Sequence, residues 1–304
     1  MTLLDLRLPA ILRRVDGPGV DAKRKIPPAI RREVRQRCGF GCVICGLPLY
    51  EYEHMLGWAN VQRHVAAEIT LLCDKHHREK TGGLLPLAAV QAADQDPHNL
   101  RSGMSAPYSL HFSGDVCNAL IGSNEMSAST GSDFVAVMID GVPLVGFRFE
   151  DGHYLLNVLL FDATNELVLQ IADNELVYSS GPWDVEFVST RLVLRAAARE
   201  IFVDMVFEPP NRVRLERGRL LFNGMELLLR PDFVLVVNNA GLIMGNSLSG
   251  FPVGLNLGSD TRLLPSAIRV AGIPRYGVDR DASLQWARQQ VAQVSDDNLR
   301  DPLA

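Results

Sequence analysis

From Tyr108 to about Asn239 the chain alternates short apolar runs with turn residues. DFVAVMIDG, HYLLNVLLFDATN, ELVLQIADN, EIFVDMVFEPPN and RLLFNGMELLLRPD are representative. Val, Ile, Leu and Phe dominate the runs, and EDG, ADN, SSG, PPN and NG divide them. That composition predicts β-strands joined by tight turns. Turn signals recur about every 8–12 residues, the spacing of an all-β unit. Ile201, Val203, Met205 and Phe207 keep the period of two that turns one strand face inward. A sandwich and a short β-solenoid both fit, because no repeat of fixed length chooses between them.

The flanks read differently. Pro27-Pro28-AIRREVRQRC-Gly39 predicts a short basic helix, with proline in the first turn and glycine past the end. Residues 240–278 are Gly-rich and read as an irregular extension. Residues 280–294 predict a helix whose Leu284, Trp286, Ala287 and Val291 dock against the body. The expected organisation is a lead-in over 1–25, a small module over 26–85 and a connector over 86–107. A β-rich domain over 108–240 follows, then a Gly-rich segment and C-terminal helix over 241–304.

Composition narrows the classes. At 304 residues the chain suits about two domains. No apolar run reaches the roughly 18 residues of a spanning helix, so no membrane partner is expected. The N-terminus reads as no signal peptide. Residues 1–80 hold 14 Lys+Arg against 9 Asp+Glu, while the remaining 224 hold 16 against 26. A basic head on an acidic body points to a head that contacts nucleic acid. Four of the five cysteines fall within residues 38–73, which suggests metal binding in a reducing compartment, hence the cytoplasm.

Cys42-x-x-Cys45 is followed, after 27 intervening residues, by Cys73-x-x-His76. Each spacing makes a tight knuckle that offers two ligands from one turn. Two knuckles complete a tetrahedral site for structural Zn²⁺. Cys38, separated from Cys42 by three residues, is a poorer alternate ligand. Between the knuckles lies Tyr50-Glu51-Tyr52-Glu53-His54-Met55. On a strand, Glu53 and His54 point to opposite faces. After the second knuckle comes His77-Arg78-Glu79-Lys80-Thr81-Gly82-Gly83, a short helix stopped by glycine.

CVICG, YEYEHM and LLCDKHHREKT, in this order, resemble the HNH nucleases, also called ββα-metal nucleases. The resemblance covers about residues 26–85. It implies an α+β protein: a zinc-braced ββα-metal nuclease module, then a predominantly β domain. It further implies His54 as general base, with Glu53 and His77 as ligands of a catalytic Mg²⁺ or Mn²⁺. Zinc then takes Cys42, Cys45, Cys73 and His76. Lys80, Arg78 and Asn60 are candidate nucleic-acid contacts. In the family's middle position, usually Asn, this chain has Glu68, and Asn60 lies closer to His54 as a substitute.

The expected function is metal-dependent hydrolysis of DNA phosphodiesters, with RNA left open. The β domain would serve regulation, targeting or assembly, through a homo-oligomer or a regulatory partner bound by residues 108–304. An effector in defence against foreign DNA is one setting, by analogy only. Two rival readings follow from the same residues. One is a zinc-braced nucleic-acid-binding protein without cleavage, favoured by Glu68. The other is an interaction protein acting through its β domain.

Overall fold

The computed structural model describes residues 24–237, 241–259, 264–275 and 279–300, with side chains to residue 293. The lead-in expected over 1–25 lies outside the described residues up to residue 23. The chain is mostly strand, arranged in open sheets, with a small helical and two-stranded region at its N-terminal end. Among the described residues, no helix is long and apolar enough to cross a membrane.

Helix α1 (Pro28–Arg37) starts on proline, whose missing N–H costs nothing in a first turn. It ends at Cys38, and Gly39 then takes a positive φ of 68°. Strands β1 (Glu51–His54) and β2 (Ile69–Leu72) pair antiparallel, Glu51 opposite Leu72 and His54 opposite Ile69. Between them lie the one-turn helix α2 (Trp58–Val61) and a 3-10 turn at Ala66–Glu68. Helix α3 (Asp74–Thr81) follows β2 directly. Val34, Ile69, Leu71, Leu72 and Val90 are fully buried in one small core. Each such side chain contributes roughly 1.5–3 kcal/mol by leaving water.

Val90 belongs to α4 (Leu87–Gln95), inside the stretch expected as a connector. That stretch also holds α5 (His98–Ser102). The fully enclosed Asn99 of α5 donates from Nδ2 to the Gly39 carbonyl at 2.9 Å. Residues 86–102 thus pack as part of the head. Their apolar residues are mostly alanine, which gave the pattern little to show.

The body is two open sheets packed face to face across one core. The first runs in the order β20-β19-β6-β7-β8-β9-β10-β3, where β3 is Tyr108–Ser109, β6 Phe134–Ile139, β7 Val142–Glu150, β8 His153–Phe161, β9 Leu167–Ala172, β10 Glu175–Tyr178, β19 Val253–Leu257 and β20 Ser266–Val270. The second follows β11-β12-β13-β14-β15-β16-β17, with β11 Asp184–Val188, β12 Arg191–Ala197, β13 Glu200–Glu208, β14 Arg212–Phe222, β15 Met225–Arg230, β16 Phe233–Val236 and β17 Gly241–Ile243. Strands β4 (Cys117–Ile121), β5 (Asn124–Ala128) and β18 (Ser247–Ser249) extend it, β4 lying parallel to β14. Most neighbours are antiparallel hairpin partners, so the body is a sandwich and not a solenoid. The turns Asp140-Gly141, Asp151-Gly152 and Asn223-Gly224 hold both residues at positive φ. That geometry matches the twist of the strands they join.

The segment expected to be irregular supplies β17 to β20. Strand β19 (VGLNL) is buried along its whole length, parallel to both β6 and β20. Strands buried on both faces lose the alternation that marks strands in sequence. Gly254 has a physical reason to be there: a Cβ would meet the Met126 sulfur at 2.5 Å and the Ala136 carbonyl at 2.9 Å. Helix α6 (Arg280–Arg300) docks as expected, its Leu284, Trp286, Ala287 and Val291 joining Leu228, Phe233 and Leu235.

One seam joins head to body. Arg35 of α1 and Asp184 of β11 are 3% and 0% exposed, and they form a two-pronged pair at 2.9 and 2.8 Å. Arg35 also donates to Glu186 at 3.0 Å and to the Tyr52 hydroxyl at 2.8 Å. Burial works against the Arg35 charge, yet Asp184, Tyr52 and Tyr50 hold its pKa above the ordinary arginine value. Gln36 donates to the Trp183 carbonyl at 2.7 Å, and the Tyr178 hydroxyl donates to the Phe40 carbonyl at 2.6 Å.

Candidate functional site

The first knuckle is a turn closed by two backbone bonds, Cys42 N–H to Leu47 O at 3.0 Å and Gly46 N–H to Cys42 O at 2.7 Å. Gly46 sits at φ 76°, and any Cβ there would collide with Asn99 Oδ1 and His98 Nδ1. The second knuckle is the start of α3. Cys73 is its N-cap residue, and its carbonyl accepts the His77 N–H at 2.8 Å. One turn of helix then returns His76 toward Cys73.

The four donor atoms of Cys42, Cys45, Cys73 and His76 lie within 4.8 Å of one another. Cys42 Sγ is 3.3 Å and Cys73 Sγ 3.2 Å from His76 Nδ1, and Cys45 Sγ is 3.7 Å from Cys73 Sγ. A tetrahedral zinc with Zn–S near 2.3 Å spaces its ligands roughly 3.5–3.8 Å apart. The donor set therefore fits a metal ion and is compatible with structural zinc. Among the described residues this is the one group of three or more converging donors. The hydrogen bond from Cys45 holds the Cys42 thiol below its ordinary value and correspondingly pushes Cys45 upward. Cys38 stands apart. It is fully enclosed, with its sulfur 3.8 Å from Thr70 Oγ1, and burial raises its thiol to about 12.

A second constellation lies where β1 meets α3. The side chains of Glu53 and His54 leave β1 in opposite directions, as the strand period requires. Glu53 turns to α3, where one carboxylate oxygen lies 2.9 Å from His77 Nε2. Its other oxygen is held by the Lys80 ammonium, which also reaches the His54 carbonyl at 3.3 Å. His77 Nδ1 lies 3.6 Å from a Glu51 oxygen. Adjacent histidines thus serve different places, His76 the cysteine cluster and His77 the carboxylate.

His54 points the other way. Its Nε2 lies 3.2 Å from His64 Nδ1, and Trp58 stacks on His64 with ring centroids 4.8 Å apart. Burial first, then His64, lowers the His54 pKa below the ordinary histidine value, against the opposing influence of Glu53. Near pH 7 the ring is therefore neutral, with a lone pair available. Glu68 does not reach His54 with a hydrogen bond. It is bound by Arg63, one contact measuring 3.1 Å. Asn60 donates to the Leu56 carbonyl at 2.7 Å, bracing its own turn. Arg78 is exposed and pairs with Asp74 at 2.9 Å. Of the three candidate contacts, Lys80 is drawn into the site and Arg78 and Asn60 stay outside it.

Comparison with family models, with curated proteins and with solved structures found no match. The resemblance to HNH nucleases stands on the residues of this chain alone.

Sequence reasoning passed over Trp58, Arg63 and Glu51 as members of this neighbourhood. Trp58 and Arg63 sit in the β1–β2 loop, whose path no periodicity fixes. Glu51 had a signal: it lies two residues before Glu53, on the same strand face.

Proposed function

We propose that the chain is a metal-dependent nuclease of the HNH kind, cutting DNA phosphodiester bonds with Glu53, His54 and His77. The observation that carries this is the meeting of Glu53 and His77 at 2.9 Å, with His54 on the reverse face of the same strand. A protein that only binds nucleic acid needs none of the three. One carboxylate and one imidazole are a sparse but workable donor set for Mg²⁺ or Mn²⁺, cations that keep several waters. A cation held there supplies positive charge to the phosphate and the leaving oxygen.

The chain's own residues do the rest. His54 Nε2 takes the proton of the attacking water once His64 yields its place. Glu53 and His77 offer their donor atoms side by side, and Lys80 neutralises charge next to the scissile phosphate. Arg78 and Asn60, exposed on α3 and α2, lie where flanking phosphates would approach. The basic head draws the polyanion in while the acidic body repels it, which leaves the body a role in regulation, targeting or assembly. The setting of a defence effector remains an analogy.

Incubating purified protein and its His54→Ala variant with plasmid and Mg²⁺ or Mn²⁺ tests the reading. Cutting by the wild type and loss in the variant, at equal zinc content, supports it. Equal cutting by both removes His54 from the role. Two observations favour a second reading, zinc-braced nucleic-acid binding without cleavage. Lys80 occupies the Glu53 oxygen that a cation needs, and Glu68 in the family's middle position is bound to Arg63. That reading expects DNA or RNA binding with no metal-dependent cutting in the same assay.

A further inference from the structure

On the body, far along the sequence from the head, one face of β13–β14–β15 meets the start of α6. The cleft between them has a volume of about 490 Å³. Five arginines line it: Arg199, Arg217, Arg219, Arg230 and Arg280. Their charges are unequally balanced. Glu226 is shared by Arg219, at 2.7 Å, and Arg280, at 3.0 Å, and Glu200 adds a contact to Arg219 at 3.4 Å. Among the described residues, Arg199, Arg217 and Arg230 have no carboxylate within ion-pair distance. Asp281 and Asp232 stand nearby without pairing to them.

Arg230 is the informative member. It is half-buried, and its guanidinium donates to the carbonyl of its own neighbour Leu229 at 2.8 Å. Burial, then Arg288, pulls its pKa below the usual arginine value; Arg217 adds to this, and Asp232 and Glu226 oppose it without overcoming it. A cation half-removed from water and crowded by two others is costly to keep without a counter-charge. An acidic chain that gathers three arginines without carboxylate partners in one concave place leaves a gap that an anion completes.

We infer that this cleft binds a phosphate-bearing small molecule, with Arg230, Arg217 and Arg199 holding the phosphate oxygens. The guanidinium fork matches phosphate geometry in pairs of hydrogen bonds. The volume falls within the roughly 300–1,000 Å³ of small-molecule sites. Ile201, Leu228 and Leu284 offer an apolar wall for the uncharged part of the ligand. A compact anion fits better than a nucleic acid strand. Beyond about 10 Å, at ordinary salt, a strand would meet the acidic remainder of the body, whereas a small ligand sees the cleft's own lining, where five arginines outnumber Glu200 and Asp281. The site shares no residue with the cysteine cluster or with Glu53, His54 and His77, so it stands whatever the head does.

Isothermal titration calorimetry on the whole chain, without added divalent cation and at about 0.1 M salt, tests it. The probes are inorganic phosphate, pyrophosphate, ADP and a single-stranded oligonucleotide. Pyrophosphate and ADP are expected to bind one per chain, more tightly than phosphate. Arg230→Gln and Arg217→Gln should each weaken that binding at least about tenfold. Arg148→Gln, which removes an arginine already paired with Glu150 and Asp173, should leave it unchanged. Because Arg217 is exposed, its variant keeps the test decisive even if Arg230→Gln folds poorly. No heat with any small probe at millimolar concentration overturns the inference. So does small-molecule binding that both variants leave intact, or loss confined to the oligonucleotide.

Discussion

His76 and His77 are neighbours in the chain and end in opposite electrostatic situations. At His76, three sulfurs and a ring nitrogen converge with no protein cation among them. At His77, the carboxylate it meets is already matched by Lys80. Donors that crowd without a counter-charge are arranged for an ion that the chain does not itself supply. Donors that arrive with their own ammonium can exist without one and must exchange partners to take one. The first arrangement suits a structural ion, and under the proposed nuclease reading the second is the one that would change partners during a reaction.

Metal removal should therefore produce the largest effect. A strong chelator, or Cys73→Ser, is expected to unfold the head, since zinc at such sites is worth about 10–16 kcal/mol of apparent binding energy in small domains. Elemental analysis together with circular dichroism checks this, and a head that stays folded without metal breaks the comparison. Next in size, His54→Ala should lower cutting by about 10²–10⁴-fold. Glu53→Gln should also inactivate, with zinc content and melting temperature nearly unchanged in both. Loss of zinc in Glu53→Gln would merge the two sites into one.

Asp184 offers a third carboxylate, matched by arginines and sealed from water. Asp184→Ala leaves Arg35 buried without its main partner and should cost about 3–5 kcal/mol in thermal or denaturant unfolding. A cost near zero would mean that Glu186 and Tyr52 suffice. The smallest effect is expected at Asp140, whose carboxylate takes 2.5 and 2.8 Å bonds from Arg275. Arg275 first, with Ser259 and Asn223 helping against burial, holds its pKa well below the usual carboxylate range. A group depressed in the folded state stabilises above its unfolded value, near 3.9, and loses that stabilisation as pH falls through the folded value. Unfolding of the wild type below about pH 4 should thus grow easier more steeply than unfolding of Asp140→Asn, by roughly 1–2 kcal/mol overall. Parallel curves for the two proteins would remove the assignment.

What could be read in advance was local. The knuckles at Cys42, Cys45, Cys73 and His76 are visible because two residues of spacing suffice to bring ligands together. Asp-Gly and Asn-Gly announce their hairpins because they alone accept the backbone angles cheaply. Glu53 and His54 separate by strand geometry alone. What stayed hidden depends on partners far along the chain. Nothing near Arg35 announces Asp184, and nothing near Gly46 announces Asn99. The parallel pairing of β4 with β14 leaves no mark in either strand, and alanine-rich α4 hides its role because one valine carries its burial. The arginine cleft likewise collects residues from four separated stretches.

The pairing of Arg35 with Asp184 also has a meaning in time. The two are separated by 149 positions. At about 5–20 residues per second of synthesis, Arg35 is made about 7–30 s before its partner. For the later part of that interval, once His76 has followed, a newborn copy presents α1 with its arginines hydrated and both knuckles already made. The head can therefore meet metal before β11 exists, and the arrival of β11 is the event that closes this face of the helix.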